Sequence, residues 1–155
     1  MNKKVISAFI ALAVGAGAGY ALNAYAQAKP DVLVKQRQAA MTLQGKYFGP
    51  LVGMMKGNVP YDQAVVARNA GYLDALSKMP WDGFTAETKD LKDVQTRALP
   101  AIWAEPAKWK ESQDRFTSAV TKLVAASKGD EAAAKGAIGE VGKACGACHT
   151  DFRAK

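Results

Sequence analysis

Residues 145–149 read Cys-Gly-Ala-Cys-His, with only residues 150–155 after them. In a helix, Cys145, Cys148 and His149 stand at i, i+3 and i+4, so their side chains leave one face. They are also the chain's whole supply of these residue types, 2 Cys and 1 His. C-x-x-C-H is the pattern of covalent c-type haem attachment. Two thiols add to the haem vinyl groups and the adjacent imidazole ligates the iron from one side. A disulfide redox pair would call for a thioredoxin-like βαβ context and no particular His beside it. A zinc site would call for four ligands, one more than the Cys and His present. The rest of the chain therefore has to fold around a large flat group hung from its last helix.

Residues 1–26 are set aside from the fold. Lys3 and Lys4 form a short basic start, an apolar run follows through Val14, and Ala24-Tyr25-Ala26 is an A-x-A cleavage site. A signal peptide is expected, with Gln27 as the first residue of the mature chain. The rival is a membrane anchor, but the apolar run is short of the about 20 residues a span requires. Haem attachment of this kind takes place outside the cytoplasm, so export to the periplasm is what the motif demands. The compartment is oxidising, yet both cysteines are committed to haem and none is left for a disulfide.

Without Lys3 and Lys4, the 21 Lys and Arg of the chain fall to 19 against 14 Asp and Glu. A modest positive excess suits a protein that meets acidic partner surfaces. Export and the scattered Lys positions exclude nucleic acid as the partner.

Residues 27–155 read as helices without a convincing strand. The first helix is expected over about 31–56, with Val34, Gln38, Met41, Gly45, Phe48, Val52 and Met55 on a 4-3 seam of the kind bundles bury. Gly57 and Pro60 end it. A second begins near Tyr61-Asp62 and ends before Pro80, with Val65, Asn69, Tyr72, Leu76 and Met79 as its seam. Residues 80–105 are irregular, long for a connection in a compact domain, with a short helix expected over about 87–96. The third helix starts at Pro106, a good first-turn residue, and carries Trp109, Phe116, Val120 and Leu123 on one face. The fourth, over about 131–152, puts Ile138, Val141, Cys145, Cys148 and Phe152 on one stripe. Gly136, Gly139, Gly142 and Gly146 in that helix each cost about 1 kcal/mol relative to Ala, as a flat macrocycle or a close helix against the same face would justify. The expected architecture is an all-α, antiparallel four-helix bundle with haem c near the C-terminal helix.

A haem motif ending the last of four helices resembles the class II c-type cytochromes, and the resemblance covers essentially all of residues 27–155. It implies that Cys145 and Cys148 are the thioether cysteines and His149 the proximal iron ligand. Arg153 matches a basic residue flanking the proximal side in cytochromes c′. Arg37-Gln38 resembles an Arg-Gln pair whose Arg lies near a haem propionate, and Met41 falls where the family places the residue over the distal iron face. Pro60-Tyr61-Asp62 and Pro100-Ala101-Ile102-Trp103 resemble the start of the second helix and the approach to the third. One stretch departs. After the aromatic matching Phe84, many cytochromes c′ have Gly-Pro-Gly-Thr, where this chain has Thr85-Ala86-Glu87-Thr88. Cytochromes c′ are often homodimers through their first two helices.

The expected function is one-electron transfer through an iron ligated by His149, with redox proteins as partners. The alternative is a five-coordinate iron that binds nitric oxide or carbon monoxide at the distal face. Met41 divides the two: as sixth ligand it favours electron transfer, as apolar lid it favours gas binding. An enzyme is not expected, because peroxidase chemistry needs a distal acid–base group and the only His is already used.

Overall fold

The computed structural model describes residues 28–155; the leader and its cleavage site lie outside the described residues. The helices are α1 (Pro30–Met55), α2 (Gln63–Leu76), the single turn α3 (Ala101–Ala104), α4 (Pro106–Ala126) and α5 (Glu131–Phe152), with 3-10 turns at Trp81–Gly83 and Ala86–Thr88. Four of them form a four-helix bundle in which α1 packs on α2 and α5, and α4 packs on α2 and α5. Among the described residues there is no strand, only an isolated antiparallel bridge between Ala98 and Arg153. Nor is any described helix long and apolar enough to cross a membrane.

Local chemistry sets the helix ends. Gly57 takes φ +73, the left-handed conformation that glycine tolerates. Its N–H bonds the Met54 carbonyl at 3.2 Å and the Asn58 N–H bonds the Gly53 carbonyl at 2.9 Å, the paired bonds that close a Schellman motif. Asp62 caps α2 by accepting from the Val65 N–H at 3.0 Å, and Asp130 caps α5 by accepting from the Ala133 N–H at 2.7 Å. Asp31 sits in the first turn of α1, where a negative charge suits the helix dipole.

The aliphatic core lies between the four long helices, centred on Leu51, Leu73, Leu123 and Ile138, all at 0–1% exposure. Each such side chain contributes about 1.5–3 kcal/mol by leaving water. The apolar face expected on α4 is buried as read, as are Ile138, Val141 and Phe152 of α5. Of the seams expected on α1 and α2, Val34, Asn69 and Leu76 are buried as read, while the other positions give way to neighbours one step round each helix. On α1 the protein-facing residues are Val34, Arg37, Ala40, Gln44, Leu51 and Met54, while Gln38 and Gly45 are exposed. On α2 they are Val66, Asn69, Ala70, Leu73 and Leu76, while Tyr72 and Met79 are 46% and 55% exposed. Polar side chains hide the true faces from a search for apolar residues. Gln44 donates to the Leu76 carbonyl and Asn69 to the Tyr47 carbonyl, tying the two helices together.

The helix expected over 87–96 is absent; only the 3-10 turn Ala86–Thr88 forms there. Residues 80–105 instead cross the end of the bundle and pack aromatics against it. Trp81, Phe84, Trp103, Trp109 and Phe152 form a continuous cluster, with ring centroids 4.9 Å apart for Phe84–Trp109 and 5.1 Å for Trp109–Phe152. Trp81 donates to the Ser77 carbonyl and Trp103 to the Thr85 carbonyl, so their indole N–H groups are satisfied. Packing, not chemistry, explains these tryptophans.

Candidate functional site

At the end spanned by the crossover, the bundle opens into a cavity of about 710 Å³. This lies within the range of small-molecule and cofactor sites, about 300–1,000 Å³. One wall is α5, with Val141, Cys145, Cys148, His149 and Phe152; the facing wall is α1, with Arg37, Gln38, Met41, Gly45 and Phe48; Phe84 and Trp109 line it too. All six sequence-expected site residues, Arg37, Met41, Cys145, Cys148, His149 and Arg153, line this one cavity. The stripe Gln38-Met41-Gly45-Phe48, misread as a helix–helix seam, is the cavity face of α1.

The glycines of α5 divide by neighbour. A Cβ on Gly142 would meet the Phe48 ring at 3.6 Å and one on Gly139 would meet the Met55 sulfur at 3.7 Å, ordinary contacts that bring α1 close to α5. Gly136 and Gly146 meet nothing within 4 Å, so no close neighbour explains them.

The cysteine thiols are half-buried, and burial above all pushes each pKa from 9.0 up to about 11. A redox dithiol works through a thiolate of lowered pKa, the opposite of what this apolar wall produces. Among the described residues no group of His, Cys, Asp and Glu gathers as a metal cluster. His149 lies on the rim. Burial, then the charges of Arg153 and Arg97, hold its imidazole below the ordinary pKa, which favours the neutral ring that a metal ligand must be. The Arg153 guanidinium lies 3.2 Å from His149 Nδ1.

Arg37 is 3% exposed. Its Nη1 donates to the Gly83 carbonyl at 2.7 Å and to Thr88 Oγ1 at 3.1 Å, and its Nη2 donates to Thr96 Oγ1 at 3.2 Å. Its guanidinium also lies 4.2 Å from the centre of the Phe84 ring. Burial lowers its pKa, but a guanidinium stays charged in proteins. Most of its donors are thus spent on the crossover, leaving Nε and one Nη2 hydrogen for a carboxylate in the cavity. Gly83 makes this closeness possible, since a Cβ there would lie 2.9 Å from both Arg37 Cβ and the Leu33 carbonyl. Of the four residues standing where many cytochromes c′ have Gly-Pro-Gly-Thr, three differ and Thr88 keeps the Thr; it is fully buried and bonded to Arg37. The departure thus spares the contact that anchors the crossover.

Sequence reading missed Thr96 and Arg97 on the cavity wall. Neither belongs to a periodic element, and no local pattern marks them.

The residues present fit a haem. The cavity has a suitable volume, its walls are mainly apolar, both thiols and the imidazole face it from one helix, and arginines stand at its edge for acidic substituents. A four-helix bundle with C-x-x-C-H opening from its last helix into such a cavity defines a haem protein of the c type. The profile of the family described as Cytochrome C′ matches residues 32–153. The cytochrome c′ of Rubrivivax gelatinosus is 41% identical over 128 residues, covering 82% of this chain and 98% of the relative. Its crystal structure overlays this fold with a TM-score of 0.77, covering 81% of this chain and 98% of that one. Cytochrome c prime from Alcaligenes xylosoxidans is represented by a variant in complex with nitric oxide, 38% identical with a TM-score of 0.75, covering 83% of this chain and 98% of that one. A second variant of that protein has carbon monoxide bound and is 39% identical, with the same TM-score and coverage. A relative called cytochrome c-554, from Cereibacter sphaeroides, is 33% identical over 129 residues, covering 79% of this chain and 81% of its own. The chain belongs to the cytochrome c′ family, whose members carry covalent haem c and its iron.

Proposed function

We propose that this protein is a five-coordinate cytochrome c′ that takes up a small uncharged gas, nitric oxide or carbon monoxide, on the side of the iron facing α1. The observation that carries the reading is the apolar part of the α1 wall, which elsewhere carries Arg37, Gln38, Thr42 and Gln44. Met41, Gly45 and Phe48 present thioether, backbone and ring to the cavity, with no titratable group among them. Charged ligands and water would lose their hydration against such a wall without compensating hydrogen bonds. An uncharged diatomic gives up little. The nitric oxide and carbon monoxide complexes of the Alcaligenes protein support the same reading.

When bound, the haem supplies an iron that holds the gas and cycles between Fe(II) and Fe(III). The chain's own residues do the rest. Cys145 and Cys148 would hold the group to α5, His149 would ligate its iron, Met41 would exclude water from the facing side, and Arg37 holds the crossover beside the cavity. We read the protein as a binding protein without catalytic turnover, working in the periplasm after loss of residues 1–26.

Electron transfer with Met41 as sixth ligand is the second reading, favoured by the thioether in the cavity wall. Met41→Ala separates the two. For a lid, the wild-type iron is already high-spin, and the variant differs mainly in faster gas entry. For a ligand, the absorption spectrum changes from low-spin to high-spin and carbon monoxide binding accelerates sharply. A wild-type low-spin spectrum that the substitution abolishes would overturn the gas-binding reading.

A further inference from the structure

Helix α1 runs from Pro30 to Met55 with a proline inside it, Pro50. Pro50 has no N–H, so the Lys46 carbonyl lacks the bond that residue 50 would have made. The helix continues through the gap because Gly49 has no Cβ to clash with the proline ring. The gap divides α1 by task. Beyond it, Leu51 and Met54 are set in the aliphatic core. Before it, Met41, Gly45 and Phe48 front the cavity. The wall-bearing part is thus joined to the firmly packed part where the backbone ladder is broken.

Two bonds from α2 hold the wall-bearing part instead. Gln44, three residues on from Met41, is 9% exposed, and its Nε2 donates to the Leu76 carbonyl at 2.9 Å. Asn69, 1% exposed, donates from Nδ2 to the Tyr47 carbonyl at 3.0 Å. The Leu76 carbonyl also accepts the Met79 N–H at 3.3 Å. It would therefore keep a partner without Gln44, and what Gln44 adds is the link between the helices. Leu76 is the last residue of α2, so the link reaches from beside Met41 to a fixed helix end.

We propose that Gln44 is a positioning residue for gas entry: by tying α1 to the end of α2 it sets how often the Met41 wall swings clear of the cavity. The proposal rests on the gas-binding reading. A gas must pass Met41 on its way in and again on its way out. The wall has to move for either passage, and moving it breaks the bond from Gln44 to Leu76. Once the wall has closed the bond is remade, with or without a guest. The bond therefore sets the rates of entry and exit together and leaves the affinity alone, as a gate does.

The test is carbon monoxide binding to the ferrous haem-loaded protein, with association followed after flash photolysis and dissociation by ligand replacement. Gln44→Met keeps the length of the side chain and removes the amide. It should raise both rates by the same factor, about fivefold, the weight of one ordinary buried hydrogen bond. In a Met41→Ala background the side chain no longer bars the way, and Gln44→Met should add little. Pro50→Ala restores the missing rung and should slow both rates. Hydrogen exchange should show the amides of residues 41–48 opening more readily in Gln44→Met, while the α4 and α5 core amides stay protected. Leu123→Ala loosens the closed end and should leave both rates at wild type; a rise equal to that of Gln44→Met would show that any loss of stability speeds entry, and would overturn the proposal. So would a changed affinity with an unchanged association rate, or a full effect of Gln44→Met in the Met41→Ala background. A high-spin protein that binds carbon monoxide at wild-type rates in Gln44→Met overturns this proposal alone. A protein that binds no carbon monoxide, or stays low-spin until Met41 is removed, overturns the gas-binding reading and this proposal with it.

Discussion

The two ends of the bundle are built on different rules. The closed end is aliphatic: Leu51, Met54, Val66, Leu123 and Ile138 fill the space between four helices. The cavity end is aromatic and cationic: Ile102, Trp109 and Phe152 pack with Trp81, Phe84 and Trp103, and Arg37 lies among them. Aliphatic side chains interdigitate to crystal-like density and leave no room. Flat rings and a guanidinium can line a slot without filling it. The first end supplies stability; the second gives up close packing to keep a shaped opening, and compensates by sewing an irregular chain across it with side-chain hydrogen bonds.

Substitutions that strike one end and spare the other would sharpen this contrast. The largest effect belongs to the cavity end. Replacing Cys145 and Cys148 together with Ala should release the haem entirely into acid–organic extraction, whereas wild-type haem should stay with the polypeptide after acid denaturation. At the closed end, Leu123→Ala should cost about 2–5 kcal/mol in denaturant unfolding while leaving the absorption spectrum of the loaded protein unchanged. A spectral change of the size seen for site variants would break the division between the ends.

Gly83→Ala tests the seam between them. Its Cβ would press on Arg37 and the Leu33 carbonyl, and the forced shift should cost about 1–3 kcal/mol. It should also loosen the crossover, seen as faster exchange of the Phe84 and Thr88 amides. The smallest effect is in pH. In the haem-free double-cysteine variant, the folded state holds His149 below its ordinary pKa of 6.5. The unfolded state therefore binds more protons in that window, so stability should fall modestly as pH drops below about 6.5. His149→Gln should flatten that dependence; an unchanged slope would show that burial and the neighbouring Arg153 and Arg97 do not hold the His149 pKa down.

These regions also differ in how far they could be read without coordinates. α4 and α5 carry apolar residues wherever they are buried, so their period points to the right face. α1 has two faces to account for. One packs on protein through Arg37, Ala40 and Gln44, which an apolar search passes over. The other, Gln38-Met41-Gly45-Phe48, fronts the cavity. Neighbouring positions in a helix lie about 100° apart, so mistaking the second stripe for the first rotates the whole helix. Tyr72 and Met79 on α2 misled in the same way, being large, apolar and exposed.

What the amino-acid sequence determined by itself is what a single segment can encode. The C-x-x-C-H spacing, the Gly57 stop, the Asp62 and Asp130 caps and the α4 face all depend on residues within a turn or two of one another, where covalent geometry alone sets who meets whom. Only the tertiary structure decided the cavity, the anchoring of Gly83, Thr88 and Thr96 by Arg37, and the bridge that ties Arg97 to Ala154. Those contacts join residues 46 to 59 positions apart. No period links them, and their partners are often backbone carbonyls, which every residue carries. Which carbonyl a buried guanidinium finds is set by how the helices pack, and that exists only once the chain has folded.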